Sequence, residues 1–147
     1  MANITANSAK KMFLKGDIHG LTDTFKIILL GDGFIFDETA HHTYADVVAH
    51  EVANAYGYTT GGIILTGVLL TIDNVNNLAK LSWDYPQWTV TGGSIITSGA
   101  IIYDDTTDIA IGHDYTDAIL YYIDFNGTQT VIDGTYLRPQ DIYFVIR

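Results

Sequence analysis

The stretch from Leu78 to Asp105, LAKLSWDYPQWTVTGGSIITSGAIIYDD, constrains the fold most, because it holds both tryptophans of the chain. Ala79, Leu81 and Trp83 alternate with Leu78, Lys80 and Ser82, the period of a strand that turns one face to a core. Asp84-Tyr85-Pro86 then turns the chain. Trp88-Thr89-Val90 restarts an extended run, Gly92-Gly93 interrupts it, and Ala100 to Tyr103 resumes it as far as a turn at Asp104-Asp105. A buried tryptophan removes roughly 150–250 Å² from water, so this unit is expected to nucleate the core, with Leu81, Ile102, Ile123 and Phe125 beside Trp83 and Trp88. It specifies a sheet and carries no chemistry of its own.

Fourteen glycines, ten tyrosines and few long helix formers lean the rest of the chain toward β structure. The polar residues 1–9 read as a flexible arm, and 10–147 as a single β domain. Within it, Lys10 to Ile18, Thr24 to Leu30, Phe34-Ile35-Phe36, Ile63 to Leu65 and Val68 to Ile72 read as short strands, with a turn at Asp73 to Asn77. Ala45, Val48, Ala49, Val52 and Ala53 recur at helical spacing, so one short helix is expected near residues 43–55, ended at Gly57. Further on, Ile109 to Ile111 and Ala118 to Phe125 read as strands, Asn126-Gly127 as a hairpin turn into Gln129 to Ile132, Asp133-Gly134 as a second turn, and Asp141 to Arg147 as a last strand. Short strands separated by turn signals predict a mainly β fold, an antiparallel β-sandwich or barrel-like domain.

Composition narrows the function classes. With no cysteine, thiolate catalysis, disulfide frameworks and cysteine-ligated metals are excluded. Seven basic against seventeen acidic residues, a net charge of −10, oppose the clustered Lys and Arg that nucleic-acid binding needs. No stretch approaches 18 apolar residues, and MANITANSAKK lacks a signal-like apolar run, so neither membrane nor secretory leader is expected.

Gly16-Asp17-Ile18-His19-Gly20 matches the opening motif of the calcineurin-like metallophosphoesterases, and Gly31-Asp32-Gly33 imitates their second motif. A metal-dependent phosphoesterase using Asp17, His19 and Asp32 is therefore the remote enzymatic alternative. Spacing opposes it: the two motifs should end successive parallel strands, which need a crossover of about a dozen residues, and only Leu21 to Lys26 lie between Gly20 and the apolar run Ile27 to Leu30. The Gly-Asn-His motif that should follow is missing as well. His50-Glu51-Val52-Ala53-Asn54 fails the HExxH zinc helix at its second histidine. The aspartates 104, 105, 108, 114 and 117 lack the glycine and glutamate of an EF-hand loop and read as solvated turn residues. No catalytic, cofactor or metal residue is expected, and His19, His41, His42, His50 and His113 are expected to share no metal.

Phe25 to Leu30, His41-His42-Thr43-Tyr44-Ala45-Asp46-Val47, Tyr56-Gly57-Tyr58-Thr59-Thr60-Gly61-Gly62, Trp88-Thr89, Gly99 to Asp104 and Ile123-Asp124-Phe125 together resemble a family of small virion structural proteins of tailed bacteriophages and prophages. The resemblance runs from Phe25 to Phe125 and implies a non-enzymatic particle component. It points to a head decoration or auxiliary capsid protein binding the major capsid protein and copies of itself, made in the bacterial host cytoplasm and located in the virion. The alternative is a tail, neck or fibre component contacting the host surface. With 48% hydrophobic and 12% aromatic residues, some apolar side chains should remain outside the core. The expected interface set is Met1, Ala2, Asn3 and Ile4 of the arm with Tyr56, Tyr58, Tyr85, Tyr115, Tyr122 and Tyr136.

Overall fold

In the computed structural model, which describes residues 2–140 and 142–146, the chain begins with β1 (Ala2–Thr5), α1 (Asn7–Lys15), β2 (Phe25–Leu30) and α2 (Tyr44–Val47), which runs into a 3-10 turn at Val48–His50. β3 (Ile63–Ile64), β4 (Leu69–Asp73), β5 (Leu78–Ser82), β6 (Trp88–Thr89) and β7 (Ser94–Asp104) follow. A second 3-10 turn, Ile109–Ile111, leads to β8 (Ala118–Ile132), β9 (Tyr136–Leu137) and β10 (Tyr143–Ile146).

The strands form a five-stranded sheet in the order β1-β8-β7-β2-β3, a three-stranded sheet β10-β5-β4 and a ribbon β6-β9, with antiparallel pairing throughout. The fold is mainly β and sandwich-like, with open sheets and no closed barrel. β7 is buried without interruption from Thr97 to Asp104, so both faces of the large sheet must be covered. One face carries Ile27, Ile102 and Tyr121 in register. The three-stranded sheet packs there: Trp83 meets Phe25 edge-on at 5.1 Å, and Phe144 lies 6.2 Å from Tyr121. α1 closes this side by stacking Phe13 on Phe144 at 4.8 Å. The other face carries Ile28, Ile101 and Tyr122. It is roofed by the irregular segment 31–62, with Phe34 and Phe36 on Tyr122 and Tyr44 stacked on Tyr103 at 4.9 Å. Trp83, Trp88, Leu81, Ile102, Ile123 and Phe125 are all buried, as their alternation predicts.

Several local expectations are corrected. Residues 2–9 form an ordered edge rather than a flexible arm: β1 pairs with β8 from Ala2↔Asp124 to Thr5↔Tyr121, and Ala6 and Ala9 are fully buried. Lys10 to Ile18 is mostly helix. Ala9, Met12 and Phe13 share one helical face, and Gly16, in the left-handed conformation at φ 86°, caps the helix with its N–H on the Met12 and Phe13 carbonyls. Phe34-Ile35-Phe36 forms no strand, yet both of its phenylalanines are buried. The helix expected near 43–55 shrinks to α2 and its 3-10 turn, begun by a capping box between Thr43 and Asp46. Ile109–Ile111 is a 3-10 turn, with Asp108 accepting from the Ala110 N–H.

Asn126-Gly127 makes no hairpin. Gly99 pairs with Asp124 and Thr97 with Gln129, so residues 125–128 of β8 stand opposite Ser98 alone. Positive φ at Asn126 (58°) and Gly127 (119°) is spent on this bulge, after which β8 continues along the same partner.

Candidate functional site

The residues of the phosphoesterase alternative are held in separate contacts. Asp17 accepts from the Lys15 ammonium at 3.0 Å and from the Asp114 N–H at 3.0 Å. Burial opposes its ionisation, but these two donors outweigh it and hold the carboxyl below its ordinary value. Asp114 in turn pairs with Lys11 at 2.8 Å and Lys15 at 2.9 Å, which joins α1 to the loop before β8. His19 lies 3.6 Å from Asp23, and Asp32 accepts from the Thr128 hydroxyl across the β8 bulge. Among the described residues no three His, Cys, Asp or Glu side chains converge as a metal site.

The remaining histidines are likewise scattered. His41 accepts from the Asp37 N–H at 3.0 Å, His42 stacks on Tyr115, His50 tilts against Phe34, and His113 accepts from the Asp108 N–H. The acidic run also divides: Asp105 pairs with Lys26 at 3.0 Å, and Asp108 caps its own turn.

Two carboxyl environments escaped the sequence reading. Glu51, the glutamate of the failed HExxH match, follows the 3-10 turn and accepts from three donors. They are the Tyr44 hydroxyl at 2.5 Å, the Tyr58 hydroxyl at 2.5 Å and the Gly61 N–H at 2.7 Å. Burial, then the bond to Glu51, pushes both phenols well above the ordinary tyrosine range. The Tyr58 oxygen also accepts from the Leu29 N–H, so this carboxylate ties the roof segment to the sheet. Its partners lie seven and ten residues away along a stretch that is no continuous helix, so no local period pairs them. The second environment is Asp104, buried at the end of β7. Its Oδ1 accepts from the Thr106 N–H at 2.8 Å, while Oδ2 meets no N–H or O–H donor. Burial, then the bond to the facing Asp23 side chain, raises Asp104 to about 8. Asp104 is fully buried, so the pair acts on the stability of the fold.

Of the tyrosines expected at an interface, Tyr56, Tyr85 and Tyr136 are exposed and Tyr115 is half-buried on His42. Tyr58 and Tyr122 belong to the core, because Glu51 and Leu29 engage the first and Phe34 and Phe36 cover the second. Asn3 and Ile4 lie in β1 against β8, and Asn3 donates to the Tyr143 carbonyl. Met1 lies outside the described residues, and Ala2 is placed by its backbone pairing with Asp124.

The exposed chemistry gathers on the three-stranded sheet. In register, Leu70, Leu81 and Phe144 form one row and Ile72, Ala79 and Ile146 the next, all on one face. Leu81 and Phe144 are covered by the core, but Leu70 is 53%, Ile72 77% and Ile146 53% exposed. With Phe13 and Leu21, the side chains of Leu70, Ala79, Leu81, Phe144 and Ile146 line an apolar groove of about 520 Å³, and Ile72 lies on the same face beside it. The opposite face carries Lys80, Ser82 and Tyr143. There a second cavity of about 520 Å³ also includes Trp83, Tyr85 and Arg138. Lys80 sits 4.4 Å over the Tyr143 ring and Arg138 5.5 Å over the Tyr85 ring. Among the described residues neither cation pairs with a carboxylate, unlike Lys11, Lys15 and Lys26. The sequence signal for the apolar face was the unbroken run Val68-Leu69-Leu70-Thr71-Ile72, which reads equally well as a buried strand. No protein-family model, curated protein or solved structure matches the chain.

Proposed function

We propose that the chain is a non-enzymatic structural component of a tailed-phage particle, a head decoration or auxiliary capsid protein that binds the major capsid protein and copies of itself. The observation that carries the reading is the outer part of the apolar face of the β10-β5-β4 sheet, where Leu70, Ile72 and Ile146 remain in water while Leu81 and Phe144 of the same face are buried. Contiguous apolar surface of this kind marks association sites, and its solvation cost is recovered only in an assembly. The resemblance along Phe25 to Phe125 supplies the particle context. A tail, neck or fibre component contacting the host surface is the second reading. It is favoured by the cavity that holds Lys80 and Arg138 on aromatic rings beside Asp84, a mixed polar and aromatic lining of the kind that takes a sugar ring.

Co-expression with the major capsid protein of the same genome tests the first reading. The chain should sediment with assembled shells in a fixed ratio. Sedimentation with isolated tails in place of shells selects the second reading, and association with neither overturns both. Stoichiometric bound metal together with phosphoester turnover by the purified protein would restore the Asp17, His19 and Asp32 alternative.

A further inference from the structure

β4 is the last strand of its sheet and has a strand neighbour only on the β5 side. It is also exposed on both faces: Leu69 is 56% exposed on one side, Leu70 and Ile72 more than half exposed on the other. Free edges are ordinarily blunted by charge, proline or a covering loop, because an unpaired row of N–H and C=O groups templates another strand. The segment Leu69-Leu70-Thr71-Ile72 carries none of these devices, and its one charge is Asp73 at the end. That carboxylate is turned back onto its own turn, where it accepts from the Val75 N–H at 3.0 Å, the Asn76 N–H at 3.0 Å and Asn76 Nδ2 at 2.7 Å.

From this edge we infer that two copies of the chain associate through β4, antiparallel about a two-fold axis at Thr71, joining their three-stranded sheets into one six-stranded sheet. The inference rests on the assembly reading of this face, not on the phage context. Register and area single out the second copy. Directly opposed residues of an antiparallel pair point to the same face, so centring on Thr71 sets Leu70 against Ile72 of the mate and makes the apolar face continuous. A slip of one residue would turn the mate's apolar face to the other side. The same centring sets Asp73 against Leu69 of the mate, so the two Asp73 carboxylates stand about 13 Å apart along the strands, beyond a Debye length at physiological salt. Lys80, aligned with Thr71 on the adjacent strand, comes to about 12 Å, Cα to Cα, from the mate's Asp73. Both separations exceed the Debye length, so charge neither drives nor blocks the pairing, although each copy carries −10. Five paired residues with flanking Val68 and Val75 cover on the order of 600 Å² per copy, the lower end for a specific interface, which implies a weak and reversible dimer.

The absence of cysteine makes the register directly testable. Only a residue on the axis faces its own counterpart, at a Cα separation of about 4.5–5.5 Å that a disulfide spans. Under mild oxidation Thr71→Cys should therefore form a disulfide dimer, Leu69→Cys alone should not, and Leu69→Cys mixed with Asp73→Cys should. By sedimentation equilibrium the parent should dimerise, and Ile72→Asp should weaken the dimer at least about tenfold with unchanged thermal unfolding, since Ile72 is exposed in the monomer. A parent that stays monomeric at about 500 μM, or equal cross-linking of Thr71→Cys and Leu69→Cys, overturns the proposal. So does a monomeric parent whose Ile72→Asp variant fails to join shells, because a particle protein then occupies the face. A dimer that joins no particle leaves this inference standing and removes only the phage reading.

Discussion

Replacing Asp104 by asparagine is expected to make the protein more stable than the parent at alkaline pH. The carboxyl is buried at the end of β7, its Oδ1 takes the Thr106 N–H, and its other oxygen lacks any N–H or O–H donor. Burial, then the facing Asp23 carboxylate, raises it from 3.8 to about 8. Above pH 3.8 the unfolded chain therefore releases a proton that the folded chain retains, so this group's contribution is complete below the unfolded value and is lost as the pH climbs to about 8. Between pH 5 and pH 8 the ceiling is about 4 kcal/mol at 1.36 kcal/mol per unit, and local screening brings the expected loss to about 2 kcal/mol. The substituted amide cannot ionise, and it can donate to Asp23 as the protonated acid does. Urea unfolding of parent and Asp104→Asn at pH 5, 6.5 and 8 reads the effect of Asp104 together with its coupling to Asp23, every other titrating group being common to both proteins. The variant should gain about 2 kcal/mol on the parent across that range. Parallel losses of stability in the two proteins would show that Asp104 is already ionised at pH 5, and the argument fails.

Trp83→Ala should cost about 3–5 kcal/mol in denaturant unfolding, since the indole is buried edge-on against Phe25, and an unchanged midpoint would remove it from the core. Gly62→Ala should destabilise by about 2 kcal/mol or more, because φ is 76° and an added Cβ would collide with the Ile27 carbonyl; a neutral substitution would mean that this turn is free to move. Tyr58→Phe leaves Glu51 and the Leu29 N–H each short of a partner and should cost about 1–3 kcal/mol, read as a lowered Tm. Deleting residues 1–9 removes β1 and the start of α1 and should unfold the chain or lower its Tm sharply; native-like unfolding of the truncated protein would return that segment to the status of an arm.

The β class, the buried tryptophans and the turn at Asp133-Gly134 were legible because each depends on local chemistry: alternation, ring size and positive φ. The arm was misread because its signal is tertiary. ANIT has no apolar stripe of its own and becomes a strand only where β8 offers an edge, while Ala9, Met12 and Phe13 at helical spacing were masked by the lysines between and beside them. Asn126-Gly127 carried the correct dihedral signal and the wrong topology, since a positive-φ pair serves a bulge as readily as a hairpin. Of the site residues, Asp17 and His19 formed a motif without a scaffold. The Glu51 clamp and the Asp23–Asp104 pair join residues from different turns, and no spacing rule reaches across them.

The pairing of β1 with β8 also sets an order of events during synthesis. Ala2 takes its place beside Asp124, and the Ala6 N–H is satisfied by the Leu120 carbonyl, so β1 cannot pair until β8 has left the ribosome. At about 5–20 residues per second, β1 waits on the order of 6–24 s. Such long sequence separation slows folding, since the loop must close before the contact stabilises it. During that interval α1, nine residues with no side-chain N-cap, is too short to hold its shape alone even with the left-handed glycine at Gly16, so β1 and α1 both wait for the sheet that receives them.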